Sequence, residues 1–196
     1  MNTQPLDLEP AARRITAQLG AVDDGTLGTG TPCPGVTVGA LLAHIEGLAL
    51  AFRDAARKEL GPVTDTAPPV ESGVLESGWR TTLPTALDEL VAAWRSPGAW
   101  EGMTRAGGVD LPGQVAGMVA LNELVLHGWD LAKATGQPFD AEEAHLRSTL
   151  ALLADQGDDP SAASPFGPPV PVAKDAPLLD RAVARGGRRP DWQPGS

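Results

Sequence analysis

Val119-Ala120-Leu121-Asn122-Glu123-Leu124-Val125-Leu126-His127-Gly128-Trp129-Asp130-Leu131 is the stretch on which the fold turns. Its apolar residues recur at helical spacing, and Glu123 and His127, four apart, share one helix face at roughly 6 Å between Cβ atoms. The same row runs back through Val119 and Ala116, so that face points inward. The helix starts near Pro112, a residue tolerated in a first turn, and ends at Gly136.

Working outward, helical periodicity appears in four more places. One segment runs from about Glu9 to Leu19 and stops at Gly20. A second begins after Thr37, a good N-cap, and carries Leu41, His44, Ile45, Leu48, Ala51 and Phe52 on one stripe, with Gly61-Pro62 closing it. A polar, Pro-rich stretch from Val63 to Ser77 leads into a third helix, about Gly78 to Arg95, with Trp79, Leu83, Leu87, Leu90, Val91 and Trp94. Ser96 to Leu111 is Gly-rich and is expected to be loop, at most with a short extended piece. After the Glu123 helix comes a fifth, opening on Asp140-Ala141-Glu142-Glu143, a capping-box pattern, and running to about Asp155. Nothing alternates convincingly with period two. The expected architecture is all-α, an antiparallel helical bundle over residues 1–155.

Residues 156–196 form a Pro/Gly-rich C-terminal tail. Phe166-Gly167-Pro168-Pro169-Val170-Pro171-Val172 is extended, because its prolines exclude helix. A short helix is expected at Leu178 to Ala184, followed by Arg188-Arg189-Pro190-Asp191-Trp192. Phe166, Leu178, Leu179, Val183 and Trp192 offer apolar surface worth burying, so the tail is expected to pack on the bundle.

Composition narrows the function. The chain has 196 residues, enough for one sizeable core, and a formal charge of −10 with no dense Lys/Arg block. That disfavours binding to nucleic acid or to anionic membrane surfaces, both of which need positive charge. Its 23 Gly and 19 Pro cluster between apolar segments, which indicates long connections in a globular protein. No apolar run approaches the roughly 20 residues of a membrane span, and the first residues, Met1-Asn2-Thr3-Gln4-Pro5-Leu6-Asp7, have no signal-peptide pattern. A single cysteine, Cys33, cannot form an internal disulfide, so a reduced cytoplasmic setting is expected.

Two histidines and a carboxylate aimed into an apolar interior are costly unless they meet a partner. A divalent ion between His44, Glu123 and His127 would satisfy them, and would leave a coordination position open for water or substrate. The alternative is a hydrogen-bonded Glu–His pair with an unrelated core histidine, since periodicity alone does not place His44 opposite Glu123.

Thr31-Pro32-Cys33-Pro34-Gly35, Leu41-Leu42-Ala43-His44 and Glu123 through Leu131 resemble the metal-binding domain of mycothiol-dependent maleylpyruvate isomerases, within the DinB/YfiT-like bundle superfamily. The tail, from Phe166-Gly167-Pro168 through Leu178-Leu179-Asp180-Arg181 to Gly187-Arg188-Arg189-Pro190-Asp191-Trp192, resembles an actinobacterial subfamily of that group, mostly without assigned function. The resemblance implies a zinc ion held by His44, Glu123 and His127, and mycothiol or a related thiol as cofactor. It implies an isomerase or S-transferase acting on small electrophiles, as a monomer or homodimer. The rival expectation is a non-catalytic metal-binding module that serves as a sensor or interaction domain. Two departures stand out: Val36 replaces the Trp usual after Pro-Gly, and the chain is too short for the isomerase's second, substrate-binding domain.

Lesser candidates surround this trio. Cys33, just before a helix N-terminus, is either a reactive thiol or a small buried residue. Asp130, three residues after His127, either orients that imidazole or makes a surface or capping contact. Trp129 is expected to be a packing residue. Glu142 and His145 have the Glu-x-x-His spacing of di-iron bundles, but no second copy exists, so His145 is expected to be an ordinary helix residue. Arg80, Arg95 and Arg105 are the candidates for receiving an anionic substrate.

Overall fold

The structure is a computed structural model that describes residues 5–154 and 167–195. Its elements are α1 (Glu9–Gln18), α2 (Val38–Arg57), the short α3 (Pro62–Asp65), α4 (Trp79–Trp94), β1 (Met103–Ala106), β2 (Val109–Pro112), α5 (Gly113–Ala134), α6 (Glu143–Ala154) and α7 (Leu178–Arg185). Phe166 and Asp155 lie outside the described residues. No helix among the described residues is long and apolar enough to cross a membrane.

The bundle is built around α2 and α5. α2 packs on α4 and α5, α1 lies against α5 and α4, α6 covers α5, and α7 covers α6. Thr37 caps α2 as its side chain suggests, its hydroxyl oxygen accepting the Ala40 N–H at 3.2 Å. Leu41, Leu42, Ile45, Leu83, Leu87, Leu90, Leu121 and Leu131 fill the centre. α5 is buried nearly all round, including Asn122, His127 and Asp130. A helix in that position has no solvent-facing side on which to leave polar groups.

The chain departs from its expected outline in three places. It is mostly helical but not all-α: β1 and β2 pair antiparallel, Met103 opposite Pro112 and Ala106 opposite Val109. Gly107 and Gly108 form the two-residue turn, both at positive φ, the conformation that matches hairpin twist. The Thr104 hydroxyl donates to the Ala55 carbonyl at 2.6 Å and pins the hairpin to α2. Second, α2 ends at Arg57, short of Gly61-Pro62, because Lys58 turns left-handed (φ 60°) and the Glu59 N–H returns to the Asp54 carbonyl at 2.9 Å. Gly61-Pro62 opens α3 and closes nothing. Third, α6 begins at Glu143, and Asp140 pairs with Arg14 of α1.

The described tail is extended over 167–173 and then forms α7, whose Ala182, Val183 and Ala184 are buried. Val183 joins Leu126, Trp129 and Leu153 in a second apolar cluster, so Trp129 is a packing residue. His145 is also part of the framework: its Nε2 lies 3.0 Å from the Asp7 carbonyl, tying α6 to the segment before α1.

Two tryptophans set the depth of α5. Trp94 Nε1 donates to the Phe52 carbonyl at 3.1 Å, and Trp100 Nε1 to the Trp94 carbonyl at 2.7 Å. Their rings meet edge-on at 5.0 Å against Gly117 of α5, where an added Cβ would stand 2.5 Å from Trp100 and 2.8 Å from Trp94. Gly117→Ala should therefore lower stability by about 1–3 kcal/mol through overpacking. That sign is opposite to the roughly 1 kcal/mol that alanine gains over glycine in a free helix. Chemical denaturation measures it, and a midpoint at or above wild type would mean that the indoles simply move aside.

Candidate metal centre

His44 projects from the apolar stripe of α2, and Glu123 and His127 project from the facing row of α5. The imidazoles of His44 and His127 meet edge-on, centroids 5.1 Å apart. His127 Nε2 lies 3.0 Å from Glu123 Oε2. One donor atom from each of the three residues falls within 4.8 Å of the others. The sequence placed each residue on an inward face, and the fold brings the two helices' residues together.

Burial sets the charge of one imidazole and hydrogen bonding that of the other. His44 is only 6% exposed, and its loss of water, reinforced by the neighbouring His127, pushes its pKa down to about 4. At neutral pH it is uncharged, and its buried Nδ1 has no hydrogen-bond partner. Burial also opposes charge on His127. There, hydrogen bonds with Asp130, Cys33 and Glu123 outweigh it and hold the imidazole well above its ordinary range. His127 Nε2 and Glu123 Oε2 thus face each other at hydrogen-bond distance.

Behind His127 is a second layer. His127 Nδ1 donates to Asp130 Oδ2 at 3.1 Å, which leaves Nε2 on the side of Glu123. Asp130 has no exposed surface, and its carboxyl is held far below the usual range: burial acts against the charge, and the Arg188 and His127 cations overcome it. Arg188 Nη2 donates to Asp130 Oδ2 at 2.8 Å and to Cys33 Sγ at 3.1 Å, and the Cys33 thiol donates to Asp130 Oδ2 at 3.2 Å. The Cys33 side chain is placed by a tight turn: Val36 N–H bonds to the Cys33 carbonyl at 3.1 Å, Pro34 fixes φ, and Gly35 takes φ +77°. Val36 itself is buried in the core.

Asp130 is therefore buried and bonded to His127, not a surface contact, and Cys33 lies in the same hydrogen-bonded cluster. The three candidate arginines do not. Arg80 bonds the Val22 carbonyl and Asp24, Arg95 bonds Asp7 and Glu9, and Arg105 bonds Asp65 and Asp110, all away from His44 and His127. The cation that matters is Arg188. No periodicity marks it in a Pro/Gly-rich tail; it stands in the Gly187-Arg188-Arg189-Pro190-Asp191-Trp192 motif, and the signal that could have given it a role is that a buried Asp130 needs a positive partner.

A partly open cavity of about 1000 Å³ reaches the trio, at the upper end of the usual size for small-molecule sites. Leu48, Pro68, Val70, Val170 and Trp192 give it a mainly apolar wall, and His44, Glu123, His127, Cys33, Arg188 and Arg189 supply its polar groups. Cys33, His127 and Asp130 also lie close enough to share an ion. The Arg188 guanidinium, bonded to both Cys33 and Asp130, puts a fixed positive charge there and disfavours a second cation. His44, Glu123 and His127 fit a divalent ion: a neutral imidazole with an orphaned nitrogen, a second imidazole oriented through Nδ1, and a carboxylate.

Residues 8–132 match the mycothiol maleylpyruvate isomerase N-terminal domain family. The chain belongs to this family. Crystal structures of the mycothiol-dependent maleylpyruvate isomerase and of a histidine-to-alanine mutant of it share the fold, with TM-scores of 0.58 and 0.61 at 23% and 22% identity. Each match covers 82% of this chain and 78% of the other. Two uncharacterized proteins of Mycobacterium tuberculosis, MT0763 (strain CDC 1551 / Oshkosh) and Rv0738 (strain H37Rv), are 28% identical over 178 residues. That length is 89% of this chain and 91% of theirs, so the likeness extends beyond the family domain into the tail.

The depressed His44 pKa has a measurable consequence in chelator-treated protein. The unfolded chain takes up a proton at His44 near pH 6.5, the folded chain only near 4, so stability present above 6.5 is lost as pH falls through that window. His127 acts with the opposite sign, contributing stability below 6.5 that disappears as pH rises through its raised value. His44→Leu removes only the first effect. Relative to wild type, it should be about 2 kcal/mol more favourable at pH 5 than at pH 7. Parallel stability curves for the two proteins would contradict a neutral buried His44.

Proposed function

We propose that this chain is a metal-dependent enzyme in which His44, Glu123 and His127 hold one divalent ion, zinc by preference. In this reading it acts through a small thiol of the mycothiol class, as an isomerase or S-transferase on small electrophiles. The observation that carries the proposal is the convergence of two buried imidazoles and the half-buried Glu123 carboxylate, from α2 and α5, on one side of a cavity large enough for a small-molecule ligand. Two imidazoles and one carboxylate suit zinc and leave an open position. The helical framework fits the DinB/YfiT-like bundle, and the free thiol of Cys33 suits a reducing, cytoplasmic setting.

When bound, such an ion lowers the pKa of a coordinated thiol and so supplies a thiolate nucleophile at neutral pH. The chain's own residues prepare the place. His44 stays neutral, so its lone pair is free. Asp130 accepts a hydrogen bond from the Nδ1–H of His127 and so fixes the tautomer with Nε2 toward Glu123. Leu48, Pro68 and Val70 line the wall beside these groups with apolar surface, which strengthens charge interactions close to it. Arg189 adds a cation to the cavity lining, engaged by Asp191 at 3.0 Å and available to an anionic ligand by exchange of partners.

Protein purified without chelator should carry about one divalent ion per chain, since one mixed His and carboxylate site is proposed. His44→Ala and His127→Ala should each lose most of it. The cobalt-substituted protein should change its visible spectrum when millimolar mycothiol or a surrogate thiol is added. Metal retained in both variants would show that the ligands are wrong. Metal binding with no response to thiol, and no thiol conjugation across a panel of electrophiles, would favour the non-catalytic module.

A further inference from the structure

Arg188 is a buried guanidinium in the cavity wall, 6% exposed, and the proposed metal and thiol chemistry gives it no role. It belongs to the C-terminal arm, and its position is built from that arm. The Arg188 N–H bonds to the Val183 carbonyl at 2.9 Å, and the Gly187 N–H to the Ala184 carbonyl at 3.0 Å, so the residue is delivered by the end of α7. Gly187 turns left-handed there (φ +82°), against Gly167, where a Cβ would stand 2.8 Å from the Gly167 Cα. Within the turn Arg188 Nη1 donates to the Gly186 carbonyl at 2.6 Å, which aims the rest of the guanidinium at α5.

The other two nitrogens, Nε and Nη2, both reach one carboxylate, and Nη2 also donates to Cys33 Sγ. Nε lies 3.2 and 3.3 Å from Asp130 Oδ1 and Oδ2, and Nη2 2.8 Å from Oδ2. A planar guanidinium that bonds a carboxylate through two nitrogens fixes its rotation as well as its position. Oδ2, the oxygen so fixed, is also the one that receives His127 Nδ1–H. A carboxylate held on one imidazole nitrogen decides where the other nitrogen points. We propose that Arg188 is a positioning residue for the metal centre: through Asp130 it holds His127 in the orientation that presents Nε2 beside Glu123. Docking of the C-terminal arm is thereby coupled to ion affinity. The inference rests on the proposed His44, Glu123 and His127 centre.

A buried ion pair with a merely structural role would alter stability and leave the affinity of the folded protein for its ion unchanged. The test is therefore cobalt(II) titration of the full chain at pH 7.5, with the visible spectrum recorded and zinc affinity measured by chelator competition. Arg188→Lys keeps the charge but not the two-nitrogen fork. The double variant Asp130→Asn with Arg188→Met removes both charges, so that neither is left buried alone if Arg188→Met does not fold. In protein shown to be folded by circular dichroism, each should bind cobalt and zinc about 10–100-fold more weakly than wild type. Each should also have an altered cobalt spectrum. Wild-type affinity and spectrum in folded Arg188→Lys and in the double variant would overturn the inference. Failure of wild type itself to bind cobalt would instead overturn the metal centre on which it rests.

Discussion

A carboxylate sealed from water, Asp130, constrains more of this molecule than any other group. Burying a charge is expensive unless it is paired and hydrogen-bonded. Here the partners come from three parts of the chain: Cys33 from the turn before α2, His127 from α5 itself, and Arg188 from the arm beyond α7. Removing one partner of such a buried pair typically costs about 3–5 kcal/mol, a large share of the stability of a single domain. Turn, helix and arm must converge for Asp130 to remain inside. Their convergence also encloses the cavity beside His44, Glu123 and His127.

Most of the helical framework was legible because it rests on local pattern. The apolar stripe of α2 placed His44 inward, and the four-residue spacing on α5 put Glu123 and His127 together. What periodicity did not supply was the pairing of the two helices, which is set by Phe52, Trp94, Trp100 and Gly117 at long range. The hairpin escaped because its strands are four residues each and show only partial alternation of burial. The Gly107-Gly108 pair was its one usable sign. The end of α2 at Lys58 was illegible for another reason: a left-handed lysine leaves no compositional mark.

The site divides along the same line. His44, Glu123 and His127 carry residue types whose burial demands explanation, so a sequence argument could find them. Asp130 was ambiguous until its surroundings were known, because a carboxylate three residues from a histidine serves equally on a surface. Arg188 stood in a tail motif shared with the resembling subfamily but with no role legible from it, and Arg80, Arg95 and Arg105 drew attention that belongs to it. A cation's role depends on which anion the fold brings within 3 Å, and no local pattern encodes that. Once placed, Arg188 separates the two clusters that share His127, since its charge disfavours an ion on the Cys33 and Asp130 side.

What remains decisive is the position of the ion itself. A crystal of the zinc-loaded protein, with anomalous scattering collected on both sides of the zinc edge, locates it without reference to any assumed ligand. One peak per chain is expected, with donor atoms of His44, Glu123 and His127 at about 2.0–2.2 Å and Arg188 still on Asp130. A peak bound by Cys33 and Asp130, or no peak near His44 at full zinc loading, would contradict the proposed centre.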